Sequence, residues 1–156
     1  MKRAVLFSIL SLLGLLCADT VQPEMLGPLT REQILAGRPD WQAVVDSYAP
    51  SLEAVEQLKS LERPVQVEVY LGTWCSDSQK HVSEFFKVLD LAGTPLLIAT
   101  YIGIPKQKDA RLEYYGGKDI QKLPTFLVIV DGGEKGRIIE VPVQSVEQDL
   151  VGILFR

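Results

Sequence analysis

The spacing of hydrophobic and polar residues changes its period in the middle of the chain. From residue 65 to residue 71 apolar and polar residues alternate, which is typical of a β-strand with one face in a core. The alternation stops at Gly72, and a helical pattern begins just beyond Cys75. Its apolar positions are Val82, Phe85, Phe86 and Leu89. The pattern therefore predicts a strand, a turn that contains Cys75, and a helix.

Patterns further along the chain predict an α/β fold. Residues 94–102 are apolar on both faces, which is typical of a parallel strand covered by helices on each side, and this strand should lie beside the first. Residues 105–115 indicate a surface connection with a short helix. Residues 125–130 and 136–141 predict an antiparallel pair around a glycine turn, and residues 146–154 predict a terminal helix.

Three short helices are predicted before residue 63, with capping residues at Thr30, Asp40 and Ser51. Trp41 and Tyr48 share one face of the second helix, a spacing that indicates core packing more often than a ligand groove. Residues 19–28 are polar and contain two prolines, so they predict a tether with little fixed structure. Residues 19–62 are thus interpreted as a tether and an N-terminal helical extension.

The first 18 residues have the pattern of a secretory signal peptide, with a basic start and a short apolar run. We expect an exported protein, periplasmic or secreted, that begins near Asp19. Two alternatives stay open: a membrane anchor through this segment, and a lipid anchor at Cys17. Leu16 is a poor match for the small residue expected just before a lipidated cysteine, and only lipidation would make the membrane a partner.

Composition excludes several classes of function. The formal net charge is −4 and no basic stripe is present, so nucleic-acid binding is disfavoured. The chain has one histidine and two cysteines, and Cys17 belongs to the predicted signal segment, so no metal site or other cofactor is expected. The 156 residues suit one domain of ordinary size.

Cys75 is the candidate nucleophile. The first N–H groups of a helix have no partner within it and the positive end of its dipole lies there, so a thiolate in this place is stabilised. A buried structural cysteine is the alternative, since that is a common state of a lone cysteine.

Two motifs now point to a family. Trp74-Cys75-Ser76-Asp77-Ser78 follows a strand, and Leu123-Pro124-Thr125-Phe126 opens another strand about fifty residues later. Together they resemble the thioredoxin superfamily, and most closely bacterial exported thioredoxin-like proteins with Thr-Trp-Cys-Ser-Asp-Ser. The resemblance covers residues 63–156 and implies a thioredoxin-like fold, a central mixed sheet flanked by helices in the order β-α-β-α-β-β-α. It also implies a cis Pro124 and a substrate groove formed by Trp74, Leu123 and Pro124.

The chain departs from the family at two positions. Ser78 replaces the second cysteine, and Val69 replaces a buried aspartate that assists proton transfer. Glu68 cannot substitute for that aspartate, because neighbouring strand residues face opposite sides of the sheet. Ser78 shares a helical face with Cys75, so its hydroxyl could hydrogen-bond a thiolate. His81 lies about 240° around the helix from Cys75 and is expected to be exposed.

These residues leave three kinds of function open. Cys75 and Ser78 could carry out monothiol exchange with protein disulfides or reduction of oxidised thiols, which requires an external small thiol or reductase because serine cannot resolve a mixed disulfide. Cys75 could instead act like a one-cysteine peroxidase through a sulfenic acid. The third alternative is a non-catalytic module that binds peptide segments in the groove.

Overall fold

The computed structural model describes residues 22–155, so the predicted signal peptide and Cys17 lie outside the described part of the chain. The described residues form an α/β fold, a five-stranded mixed sheet flanked by helices. The elements in chain order are β1 (Gly27–Leu29), α1 (Arg31–Gly37), α2 (Asp40–Ser47), α3 (Leu52–Lys59), β2 (Val65–Leu71), α4 (Ser76–Ala92), β3 (Leu97–Gly103), β4 (Thr125–Val130), β5 (Gly133–Ile139) and α5 (Val146–Leu154).

The sheet has the strand order β1-β3-β2-β4-β5, which puts β2 at its centre. β2 and β3 are parallel, as predicted, with Val65 opposite Leu97. All other pairs are antiparallel, and the β2–β4 pair sets Tyr70 opposite Thr125. This register brings the C-terminal end of β2 and the start of β4 to the same end of the sheet, where the two predicted motifs lie.

One core joins all five helices to one face of the sheet. β2 contributes its odd-numbered residues, as the alternation of apolar and polar residues predicts. Each helix contributes at least one fully or almost fully buried apolar side chain. The rings of Phe85 and Phe126 meet edge to face at 5.5 Å between centroids. The helix contributions to this cluster include Ile34, Trp41, Leu58, Phe86 and Val146.

The opposite face of the sheet corrects one prediction. β3 begins at Leu97 rather than residue 94, and it is not covered on both sides, because Ile98 is 43% exposed. The connection to β4 forms only two 3₁₀ turns, at Lys108–Ala110 and Leu112–Tyr114, in place of a covering α-helix. A smaller apolar cluster, which includes Tyr70, Ile104 and Leu127, covers part of this face.

The expected tether is also corrected. Residues 27–29 form β1, which pairs antiparallel with Tyr101–Gly103 at the edge of β3. A β3 edge without a neighbour would leave backbone N–H and C=O groups unpaired, and the segment supplies partners for them. Gly103 permits the close approach, because a Cβ there would lie 2.1 Å from the carbonyl oxygen of Met25.

The three N-terminal helices are confirmed, and two of their predicted caps are made. Thr30 forms a full capping box with Gln33, and the hydroxyl of Ser51 accepts the N–H of Ala54. Pro39, rather than Asp40, occupies the cap position of α2. Trp41 is buried in the core, as its spacing predicted.

Candidate functional site

The turn between β2 and α4 holds Cys75 at the cap position of the helix. Its backbone is extended, its N–H donates to the carbonyl of Gly72 at 2.9 Å, and its carbonyl accepts the N–H of Gln79 at 2.9 Å. The thiol caps no backbone group of the helix. Cys75 is partly exposed and lies at the positive end of a 17-residue helix.

The peptide bond between Leu123 and Pro124 is cis, as predicted. The Cys75 thiol donates a hydrogen bond to the carbonyl oxygen of Leu123, with 3.8 Å between sulfur and oxygen. The expected proximity of the two loops is therefore confirmed, and it follows from the β2–β4 register. Leu123 is buried, so its backbone rather than its side chain faces the cysteine loop.

The indole of Trp74 is fixed from several sides. Its Nε1 donates to the carbonyl of Ile104 at 2.9 Å, and the guanidinium of Arg111 lies 5.2 Å from the ring centroid. Gly72 lies close beneath the ring, since a Cβ there would come within 2.8 Å of it. The indole is thus a rigid surface beside Cys75.

Ser78 has a different role from the one expected. Its side chain is fully buried, and its Oγ accepts the backbone N–H of Gly72 at 3.1 Å. No hydrogen bond joins it to Cys75 within the described structure. The hydroxyl therefore fixes the start of the turn, and the expectation that it hydrogen-bonds the sulfur is wrong for this structure.

β2 supplies no carboxylate on the face that carries Val69. Val69 is fully buried and pairs with Phe126, whereas Glu68 lies on the other face, as predicted. There its Oε2 accepts the hydroxyl of Tyr70 at 3.0 Å. Burial, together with this carboxylate, raises the pKa of Tyr70 to about 12.

His81 is buried rather than exposed, which corrects the prediction. Only 5% of its surface is accessible, and its Nδ1 lies 2.7 Å from a carboxylate oxygen of Glu84. The helical-wheel argument assumed one covered face of α4, but α2, α3 and α5 all pack against this helix. The side of α4 that faces away from Cys75 is therefore buried as well.

Sequence reasoning missed the residues that hold the cysteine loop in place. The buried Thr73 accepts two hydrogen bonds from the N-terminal extension: its carbonyl from Nε of Arg38 at 2.7 Å, and its Oγ1 from the N–H of Met25 at 3.1 Å. Arg38 also donates to the side chain of Gln22 and, at 3.3 Å, to the carbonyl of Pro23. No sequence signal identifies such contacts, since they depend on where the extension folds back.

A cleft of about 470 Å³ opens beside Cys75, and the extension forms one wall of it. This volume lies within the range of small-molecule sites. Cys75 is one of its lining residues, whereas no residue of the Leu123–Pro124 loop lines it. The lining residues include Gln22, Arg38, Asp40, Trp74, Ser76 and Gln79.

Within residues 22–155 no group of three or more histidine, cysteine, aspartate and glutamate side chains is arranged to hold a metal ion. No helix in the same range is both long and apolar enough to cross a membrane.

Comparison with known proteins supports the fold alone. No protein-family model matches the chain, and no curated protein matches it. A crystal structure of a protein of unknown function from Pseudomonas aeruginosa is similar, with a TM-score of 0.57, 20% identity and coverage of 81% of both chains. An HIV epitope-scaffold protein is similar to the same degree, with a TM-score of 0.56, 19% identity and coverage of 81% of this chain and 82% of that one.

Proposed function

We propose that this protein is an exported thioredoxin-like thiol protein that carries out monothiol disulfide exchange through Cys75. The proposal takes residues 63–156 as a thioredoxin-like domain. The observation that carries it is the contact between the Cys75 sulfur, at the start of α4, and the Leu123 carbonyl beside a cis proline. The only partly exposed cysteine thiol in residues 22–155 therefore lies against the backbone that precedes the cis proline.

Each residue of the site has a role in the exchange. The Cys75 thiolate attacks a sulfur of the partner's disulfide, so that a new S–S bond forms and the partner's second sulfur leaves as a thiolate. The backbone around Leu123 and Pro124 holds an extended segment of the partner near the sulfur. Trp74, held by Ile104 and Arg111, supplies an apolar wall for that segment.

The mixed disulfide needs an outside thiol for its release. Ser78 has no sulfur, and its hydroxyl is buried on the N–H of Gly72. The next step is therefore attack by a small thiol or a reductase on the disulfide at Cys75. With a sulfenic acid as the oxidised thiol, Cys75 attacks its sulfur and water leaves, and the outside thiol then releases the resulting mixed disulfide as before.

Trapping the mixed disulfide tests this proposal. Wild-type protein and the Cys75→Ser variant are incubated with a disulfide-bonded protein. The reactions are quenched with acid, and the intact masses of the proteins are measured by mass spectrometry. We expect a one-to-one covalent adduct for the wild type that added thiol removes, and no adduct for Cys75→Ser. An unmodified wild-type protein, with Cys75 alkylated no faster than a free cysteine peptide, would reject the proposal.

A second candidate is a peptide-binding module without turnover. The buried Val69 beneath the turn favours it, because no carboxylate there can move protons during exchange. In that case Cys75→Ser would bind a peptide at the groove as tightly as the wild type. Exchange predicts instead that covalent capture depends on the sulfur.

Export is part of the proposal and has its own measurement. The mass of the protein purified from its natural host should correspond to a chain that begins near Asp19 without an acyl group. A mass that corresponds to a diacylated Cys17 would replace export in soluble form with membrane attachment.

A further inference from the structure

The cleft beside Cys75 contains an unusual buried charge. Arg38 is 7% exposed and forms no salt bridge with any residue from 22 to 155. Its hydrogen bonds go to two backbone carbonyls and to the neutral side chain of Gln22, and they use three of the five N–H donors of a guanidinium. Among the described residues this buried cation has no anionic partner, and burial of an unpaired charge is costly, so an anion in the cleft would be stabilised.

The same cleft carries one exposed carboxylate. Asp40 lines it, and its Oδ2 accepts the side-chain N–H of Gln79 at 2.7 Å. A positive and a negative side chain therefore line the same cleft as Cys75. This set of charges fits a small molecule that carries a carboxylate, an ammonium group and a reactive sulfur.

The position of the cleft relative to the Leu123–Pro124 loop bears on the geometry of exchange. Attack on a disulfide proceeds through the sulfur, with the incoming and leaving sulfurs on opposite sides of it. A partner held at Leu123 and Pro124 occupies one approach, where the sulfur already contacts a carbonyl. Cys75 also lines the cleft, which contains no residue of that loop, so a small thiol in the cleft would not compete with the partner for the loop.

We propose that the cleft binds the releasing thiol, and that this thiol is an amino-acid thiol, either free or in a short peptide. Its carboxylate pairs with Arg38 and its ammonium group with Asp40. The inference rests on the proposed function and names the thiol that completes it.

Two such thiols supply the two electrons that reduce the partner's disulfide. The first thiolate attacks the Cys75 sulfur, so that the bond to the partner breaks and the partner leaves as a thiolate that takes a proton from solvent. The second attacks the sulfur of the small thiol now bound to Cys75, which forms a small-molecule disulfide and frees the Cys75 thiolate. Two electrons pass from two small thiols to the partner's disulfide.

The test measures release of a neutral leaving group from a preformed disulfide between Cys75 and pyridinethiol. Four thiols are compared: cysteine with both charges, mercaptopropionate with the carboxylate, cysteamine with the ammonium group, and mercaptoethanol with neither. Each rate is divided by the thiolate concentration. It is then divided by the rate at which the same thiol releases pyridinethiol from a small cysteine peptide, which corrects for the intrinsic reactivity of the thiol. We expect cysteine to exceed mercaptoethanol by about tenfold, with the singly charged thiols between them.

Variants assign the selectivity to the two charges. Asp40→Asn should lower the normalised rate with cysteine to that with mercaptopropionate, and Asp46→Asn is the matched control. Asp46 is also an exposed residue of α2 that accepts a glutamine side-chain N–H, but it does not line the cleft. Arg38→Gln should remove the preference for carboxylates, whereas Arg38→Lys should retain it.

The outcomes separate this inference from the proposed function. Equal normalised rates for all four thiols, or an Asp40→Asn variant with unchanged selectivity, would overturn the cleft as the thiol site while exchange at Cys75 stands. A Cys75 that forms no mixed disulfide with any reagent would overturn the proposed function itself.

Discussion

The hydroxyl of Ser78 stabilises the turn that carries Cys75. Gly72 directly follows β2, and its buried N–H donates to the buried Ser78 oxygen. A buried N–H without a partner costs about 1 to 3 kcal/mol. Serine at this position therefore preserves the loop geometry even though it cannot resolve a disulfide.

Ser78→Ala should accordingly lower the free energy of unfolding by about 1 to 3 kcal/mol, because it leaves the Gly72 N–H unpaired. Chemical denaturation of the reduced protein measures this. Ser76→Ala, at the exposed start of the same helix, is the control and should change stability by less than about 0.5 kcal/mol. Equal, small losses in both variants would contradict the role assigned to Ser78.

One buried and one partly buried tyrosine make the stability of the protein sensitive to alkaline pH. Burial raises the pKa of Tyr101 well above its usual value, and burial together with the Glu147 carboxylate does the same for Tyr48. The unfolded chain releases these protons near pH 10, whereas the folded protein retains them to higher pH. Their contribution to stability is complete below about pH 10 and is lost as the pH rises through the folded values.

Tyr101→Phe should therefore reduce the fall in stability above about pH 10 and change stability little at neutral pH. The measurement is the midpoint of denaturation as a function of pH, compared with the wild type. An alkaline decline as steep in the variant as in the wild type would show that this phenol does not contribute to it.

At the scale of elements, β1 helps to hold the loop that contains Cys75 in place. It continues the segment in which Met25 donates to Thr73, and it pairs with β3 next to β2. Gly103 is the position at which β3 admits this segment. The extension, the sheet edge and the loop therefore form one packed unit.

Gly103→Ala should displace β1, because its methyl group would meet the backbone of Met25 rather than a flexible side chain. We expect a loss of about 1 to 3 kcal/mol in stability and faster hydrogen exchange in residues 25–29. Gly133→Ala is the control, since the new Cβ would lie 3.8 Å from its nearest contact, an ordinary distance. Unchanged exchange at residues 25–29 in Gly103→Ala would contradict this account of β1.

At the scale of the whole molecule, the predictable features are those encoded locally. The alternation in β2, the helical stripe of α4 and the capping residues predicted these elements within a few residues, and the two motifs predicted that Cys75 and Leu123 would meet. The pairing of β2 with β4 places these loops together.

The features that could not be predicted depend on distant backbone. β1 forms because β3 has a free edge and a glycine at position 103, neither of which is visible in the polar residues 19–28 themselves. His81 is buried because other helices cover a second side of α4. Arg38 reaches Thr73 across 35 positions of sequence, so neither periodicity nor a motif could reveal it.

Steady-state reduction of a protein disulfide, with and without a small thiol, tests the central claim most directly. The account predicts that the wild type turns over only when thiol is added, that Cys75→Ser is inactive, and that Ser78→Cys gains partial activity without thiol. The gain is partial because the cysteine gives up the hydroxyl bound to Gly72 and Val69 supplies no carboxylate. Turnover by the wild type without any thiol, or activity retained in Cys75→Ser, would contradict the account.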